Sequence, residues 1–399
     1  MKRIIPLILI LTIFLSGCNN QEVNVGTEAT ISPTIPEETI AEMEPTTPTY
    51  QQLPMAAISL PATVEEFFAD DGALLSRYTH QNIFLFLQDQ EIADRIIIDF
   101  LNRLDRFYDS AEILYSQARE DYAPDNWIPY FSEIYYVPMR LDSTVLSLFG
   151  LNTIYSGGNY PNFESSAANY NMVTGDVLTL GSILENADSH SSLCDAVIES
   201  ATAQLDYLSL FDDYEEIIRQ RFRRDASFDE DWYFTASGIV FFFQPYEIAP
   251  YRSGVITIEV PYSKLSGILS DEFFPGEEDQ FDGTMNVSWL SDISLESYTQ
   301  ISETILDPDG ERIFLSSNGL LRDITVEVGS WDTNTMSFHS NYTAFVCAAL
   351  SPGDGIMMQL EIPVESPVIQ IKYRTSADIF TTYVLKNTQD NSITLWNPQ

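Results

Sequence analysis

Basic residues, histidine and cysteine are all scarce in this chain of 399 residues. There are 19 Lys and Arg against 59 Asp and Glu, a formal charge of −40 at pH 7. A nucleic-acid binder needs clustered cations to neutralise phosphates, so that class is excluded. Lying flat on anionic lipid is disfavoured for the same reason. A field of this sign instead steers cationic partners, such as basic proteins or metal ions. The three histidines, His80, His190 and His339, are dispersed, and the chain shows no H-E-x-x-H, G-x-S-x-G or Walker A pattern. Asp188-Ser189-His190 with Cys194 cannot assemble four convergent metal ligands and reads as a polar helix N-terminus. With only Cys18, Cys194 and Cys347, neither a disulfide framework nor a cysteine zinc site is available. Cys194 and Cys347 are expected to be buried free thiols. Long apolar runs are also missing: the run over 4–15 has twelve residues, short of the roughly 20 that span a bilayer.

That short run is nevertheless informative. Lys2 and Arg3 precede it, giving the charged start and apolar middle of a secretory signal. It ends in Leu15-Ser16-Gly17-Cys18, which resembles the lipobox of bacterial lipoproteins. The resemblance implies cleavage before Cys18, lipid on its sulfur and acylation of the new amino group. Two or three acyl chains anchor stably where one is marginal. The expectation is an extracytoplasmic protein, lipid-anchored to the bacterial cell membrane, with 1–17 as signal peptide.

Residues 18–60 are expected to be a disordered Pro/Thr/Glu linker. From Asn19 on they hold Pro33, Pro36, Pro45, Pro48 and Pro54, six glutamates and no Lys or Arg, too little apolar surface to order themselves. Beyond it the texture is mixed. A strand is expected over 79–88, then a helix over 90–122 that Asp89 can cap and Pro124 ends, with apolar residues at helical spacing. Strands follow over 132–141, 145–155 and 163–172, helices over 190–205 and 214–223, and strands over 232–243 and 254–260. Helices between antiparallel strands make 61–274 an α+β domain, an antiparallel sheet with packed helices. Residues 275–293 read as an acidic connector containing Glu277, Glu278, Asp279 and Asp282. From 294 to 399 only strands are expected, seven of them between turns such as Asn318-Gly319, which is the pattern of a small all-β sandwich.

Chemistry is hard to locate. The acidic pieces Asp307 to Glu311 and Glu277 to Asp282 offer oxygens to a surface Ca²⁺, but neither follows the twelve-residue loop pattern, so solvated turns are expected. No cofactor is implied. Paired carboxylates across a cleft would suit glycoside hydrolysis, but among 59 acids such a pair arises by chance. The segment Phe241-Phe-Phe-Gln-Pro-Tyr-Glu-Ile-Ala-Pro-Tyr251 is more distinctive. Pro245 and Pro250 fix φ at two points of a loop between strands. Tyr246, Glu247 and Tyr251 are then either displayed or used to lock the corner. Locking is favoured over a ligand contact, and both over catalysis, because Glu247 has no partner base, nucleophile or metal in the sequence.

Two segments in order resemble a known family. One is Tyr155-Ser-Gly-Gly-Asn159-Tyr160-Pro-Asn162, running on to Asn171-Met-Val-Thr-Gly175. The other runs from Trp232 to Tyr262 and contains Pro245-Tyr-Glu-Ile-Ala-Pro-Tyr251. They are similar to the extracytoplasmic domain shared by the anti-sigma factor RsiV and the peptidoglycan deacetylase PdaC. That resemblance covers about half the chain and implies a binding domain rather than a reaction. In RsiV the domain senses lysozyme, and in PdaC the chemistry sits in a separate catalytic domain. The histidine usual in the first loop is replaced here around Asn159-Tyr160. With the mature chain expected to start at Cys18, no cytoplasmic sigma-binding segment is expected either. The resulting expectation is a non-enzymatic, membrane-anchored module. Its partner would be a lysozyme-like basic protein or peptidoglycan glycan, and its ligand-binding candidates are Tyr246, Glu247, Tyr251, Asn159 and Tyr160. The alternative is an envelope glycan or peptidoglycan hydrolase with an unrecognised carboxylate or Ser-based site.

Overall fold

The computed structural model describes residues 56–204, 210–223, 230–276, 283–362, 367–387, 390 and 392–397. The chain divides into units Met1–Thr49 and Tyr50–Gln399, and the architecture below belongs to the second. Cys18, the lipobox, the linker as far as Pro54 and the cluster Glu277 to Asp282 lie outside the described residues. Among the described residues no helix is long and apolar enough to cross a membrane.

The first elements are β1 (Ala57–Ser59), β2 (Ala62–Phe68), β3 (Leu74–Gln81), β4 (Phe84–Phe86), α1 (Gln90–Asp121), β5 (Tyr130–Leu141), β6 (Val145–Tyr155) and β7 (Asn162–Asn171). Five of them form a sheet in the order β2-β3-β5-β6-β7, antiparallel except for β3 beside β5. The parallel pair needs a crossover, and α1 supplies it. Asp89 caps that helix, its carboxylate accepting from the N–H groups of Glu91 at 2.9 Å and Ile92 at 3.4 Å. Ala93, Ile96, Phe100, Leu104, Phe107, Ala111, Leu114 and Ala118 make its buried stripe at three- and four-residue steps. Each large member contributes roughly 1.5–3 kcal/mol over an exposed position.

A second layer follows: α2 (Leu180–Ile183), α3 (Ser189–Gln204), α4 (Tyr214–Arg223), β8 (Trp232–Phe234), β9 (Gly238–Phe243) and β10 (Ile256–Pro261). The three strands form their own antiparallel sheet and share a core with α3 and α4. The sequence suggests one strand over 232–243; it is a hairpin instead, closed by Thr235 N–H to Gly238 C=O at 2.9 Å. A Cβ on Gly238 would lie 2.2 Å from the Val260 carbonyl oxygen, so only glycine lets β9 and the end of β10 approach this closely. The hairpin docks on β6 and β7 through polar groups: Ser147 Oγ accepts from Phe234 N–H, and the Asn169 amide donates to Trp232 C=O, each at 2.8 Å.

The rest is strands: β11 (Met285–Trp289), β12 (Gln300–Ile305), β13 (Glu311–Ser317), β14 (Leu321–Asp332), β15 (Ser337–Leu350), β16 (Asp354–Leu360), β17 (Ile369–Arg374), β18 (Ile379–Lys386) and β19 (Ile393–Trp396). They make a four-stranded sheet, β11-β13-β16-β12, facing a seven-stranded one, β19-β18-β17-β14-β15-β1-β4, across one apolar core. The fold is therefore mixed α+β with several antiparallel sheets and a β-rich C-terminal region. The seven-stranded sheet, however, ends in β1 and β4 from the other end of the sequence. Three boundaries change accordingly. Residues 57–59, expected in the linker, are a buried strand, and 285–289, expected in the acidic connector, are β11. The strand expected over 79–88 is two strands in different sheets. Because of this exchange, 61–274 and 294–399 are not separate bodies.

β1 is the stitch. Ala57 faces the core between the two C-terminal sheets, while Ile58 faces the core under α1. Ser59 Oγ donates to Thr304 Oγ1 at 2.6 Å. Gln81, fully buried, donates to Leu60 C=O at 3.0 Å and Thr343 C=O at 2.8 Å and accepts from Tyr136 N–H at 2.6 Å. Gln81→Ala leaves three buried backbone groups unsatisfied. We expect a loss of about 3 kcal/mol, given roughly 1–3 kcal/mol per orphaned group, read as a lower midpoint in urea unfolding of the full chain. An unchanged midpoint would contradict this role.

Candidate functional site

Residues 244–255 connect β9 to β10, and the turn at their start is held by specific side chains. Glu247 N–H donates to Gln244 C=O at 3.1 Å, which closes a turn with Pro245 and Tyr246 in its middle. Tyr246 has φ of 74°. Positive φ at the third residue is the geometry of a type II turn, where glycine is the favoured occupant. Here the position holds a tyrosine that is 69% exposed, with its ring edge-on to Phe211 at 5.6 Å. Ile248 and Ala249 are buried below it, and Ile248 C=O accepts from Phe211 N–H at 2.9 Å.

Glu247 locks the corner. One carboxylate oxygen accepts from Arg221, at the end of α4, and the other from Gln244 N–H at 2.9 Å. Arg221 also bonds Asp231, just before β8. The Gln244 amide then pairs with the backbone of Ser165 in β7, donating to its C=O at 2.7 Å and accepting from its N–H at 3.0 Å. Burial pushes the Asp231 carboxyl up to about 6, against the pull of Arg221 and with help from Glu247 and Glu230. Both acidic side chains of this triad are held by the same guanidinium, which ties the loop to the end of α4 and the start of β8.

The other expected site residues are placed elsewhere. Asn159 and Tyr160 sit in the β6–β7 loop, where Gly157 and Gly158 have φ of 87° and 100°. Tyr160 is 80% exposed, and neither it nor Asn159 reaches a hydrogen-bond or ring partner among the described residues. Tyr251 opens a one-turn 3₁₀ segment and is half exposed. The structure thus joins Tyr246 and Glu247 in one turn, with no hydrogen bond or ring contact among the described residues linking Asn159, Tyr160 or Tyr251 to them. Sequence reasoning misses Arg221, Asp231 and Phe211, and also the acidic run that follows Phe211 in the chain: exposed Asp212 and Asp213, then Glu215 and Glu216 in the first turn of α4, which pair with Arg219 and Arg223. The four acids in five residues were the available signal.

The remaining chemical residues are quiet. His80 is buried with Nε2 2.8 Å from Tyr108 Oη, and burial holds it down to about 4, so it is neutral. His190 packs edge-on to Phe222. Cys194 and Cys347 are buried and unbridged. Among the described residues no three His, Cys, Asp or Glu group as metal ligands. Asp307 to Glu311 is a turn in which Asp307 accepts from Asp309 N–H at 3.0 Å.

Residues 185–263 match the model of a family described as "Protein of unknown function (DUF3298)". That segment, and not the whole chain, is what is similar to the family. The match contains α3, α4, β8 to β10 and all three members of the Arg221 triad, and it covers the second of the two motifs behind the resemblance. A crystal structure of a DUF3298 family protein from Pseudomonas aeruginosa PAO1 aligns at 17% identity over 55% of this chain and 97% of that one, with a TM-score of 0.37. Another, from Bacteroides fragilis, aligns at 15% identity over 54% and 94%, with a TM-score of 0.39. No curated protein matches the chain.

Asp231 gives this site a pH signature. Its folded pKa lies above the ordinary carboxylate value of 3.8, so the folded state holds its proton longer. The stability contributed by the protonated form is complete below pH 3.8 and is lost as pH rises through about 6. The loss should amount to about 1–3 kcal/mol. Unfolding free energies measured across this range should fall for the wild type relative to Asp231→Asn, in which that step is absent. Parallel curves would contradict the assignment.

Proposed function

We propose that the protein is a membrane-tethered, non-catalytic binding module that takes a basic, lysozyme-like envelope protein on the Tyr246 turn of its DUF3298-like segment. The observation that carries this is the conformation of Tyr246 itself. A left-handed non-glycine residue costs roughly 1–2 kcal/mol, and here the ring is turned out to solvent instead of repaying that cost by burial. Strain kept at an over-determined position is a mark of functional display. An exposed tyrosine beside Phe211 supplies an aromatic anchor. Next to Phe211 in the chain, the exposed Asp212-Asp213 pair supplies a field that favours a cationic partner. The signal sequence and lipobox supply the tether in this reading.

The expected behaviour is saturable binding of lysozyme by the full chain in calorimetric titration, weakening as salt rises. Tyr246→Gly should weaken binding tenfold or more without loss of stability, since glycine removes the left-handed strain and returns only about 0.5–1 kcal/mol as chain entropy. No binding of lysozyme at low salt, or binding indifferent to Tyr246→Gly, would overturn the reading. Hydrolysis of purified peptidoglycan by the wild type, abolished by Asp231→Asn, would instead establish the carboxylate hydrolase.

A further inference from the structure

The start of β7 separates two features. The backbone of Ser165 bonds the Gln244 amide at the base of the tyrosine turn, whereas the side chains of Glu164 and Ser166, one residue to either side, line a crevice on the face covered by α1. The turn is thus tied to the backbone of β7, while the crevice is lined by side chains of the same strand. The crevice has a volume of about 190 Å³. That is room for about six waters at ~30 Å³ each, or for one small polar ring, and well short of the roughly 300–1,000 Å³ of a drug-sized site. Its wall includes Arg106 and Phe107 of α1, Asn152 of β6, and Tyr136 of β5. Gly150 allows Tyr136 to lie close against the sheet, since a Cβ there would sit 2.8 Å from the ring.

The charges in this crevice are largely spent. Arg103 bonds Asp99 at 2.8 Å and Glu230 at 3.1 Å, and Arg106 shares the same Glu230 oxygen at 3.1 Å. No cation is left uncompensated for a strongly anionic ligand. What remains unengaged is a set of mixed polarity. Glu164 is exposed, with no ion pair among the described residues, and offers acceptors. Arg106, two-thirds exposed, has N–H groups left to donate. Ser166 can do both. The Asn152 Oδ1 is buried with no hydrogen-bond partner among the described residues. An orphaned acceptor of this kind costs about 1–3 kcal/mol until something bonds it. Planar acceptors and donors around a small cavity, with a phenylalanine in the wall, suit a ligand whose hydroxyls both donate and accept and whose ring carries an apolar C–H face.

We propose that this crevice between α1 and the start of β7 binds a single sugar ring, presented as a free monosaccharide or as one residue of a glycan chain. The inference is independent of the Tyr246 reading: the crevice lining includes neither Tyr246, Glu247 nor Phe211. The test is saturation-transfer NMR and calorimetry on the full chain in a non-glycosidic detergent. Probes are glucose, N-acetylglucosamine, its oligomers and purified peptidoglycan glycan strands, with free amino acids as controls. Saturable sugar binding weakened tenfold or more by both Glu164→Gln and Ser166→Leu, at unchanged melting temperature, is expected. Tenfold tighter binding of oligomers assigns a residue within a glycan; equal affinity assigns a free sugar. The proposal is overturned if no sugar saturates the protein or if amino acids bind in place of sugars. It is equally overturned if sugar binding survives both crevice variants, including the case where Tyr246→Gly removes it.

Discussion

A three-residue strand is the constraint on which the rest of the structure depends. β1 pairs with β15, whose residues lie almost 290 positions later, and with β4 on its other side. Its alternate side chains enter two different cores. A strand so short has little stability of its own. It persists because both cores and the buried Gln81 amide fix its backbone. Gln81 binds the end of β1's segment, β15 and β5 at once, so the α1-covered sheet and the C-terminal sandwich cannot part without orphaning buried polar groups.

That arrangement bears on function through rigidity. The tyrosine turn is displayed from the small α3–α4 sheet, which is fixed to β6 and β7 by Ser147, Asn169 and the Gln244–Ser165 pair. The Arg221 triad holds the turn's base while its apex stays in solvent. Consecutive residues then serve two features: Asp231 belongs to the triad, and Glu230 bonds Arg103 and Arg106 in the wall of the crevice. Acidity here has two roles. Partly buried carboxylates such as Asp231 build the scaffold around scarce arginines, and exposed ones such as Asp212 and Asp213 would set the field a partner meets in the proposed function.

Much of this was legible in the chain, because periodicity reports burial on one face. The α1 stripe with its Asp89 cap, α4 at 214–223, β6 at 145–155 and β18 at 379–386 all follow directly from residue spacing. β1 did not, since Ala57-Ile-Ser is too short to show a period and its partner is remote in sequence. β11 was hidden by its acidic surroundings. The hairpin inside 232–243 is signalled only by Thr235-Ala-Ser-Gly238, a short polar break between two apolar runs that is easily read as part of one strand. At the site, the two prolines announce a rigid corner, and Glu247 does lock it. Arg221 and Asp231 are invisible as its partners because a charged residue near a helix end or a strand start usually meets water. The strain at Tyr246 was unreadable for a sharper reason: the residue that betrays a type II turn is glycine, and tyrosine stands in its place.

The displayed turn sits on one cooperative body closed by β1. Native-state hydrogen exchange of the full chain, followed peptide by peptide, tests this most directly. Amides of β1 and of its β15 partners around Val346 and Cys347 should exchange only with the slowest, global class, in step with the α1 stripe and the sandwich core. The amide of Glu247 at the turn's base should be protected far beyond the exposed Tyr160 loop. Rapid exchange in β1 while both cores stay protected would contradict the account, for it would mean two independent bodies with β1 lying loosely between them.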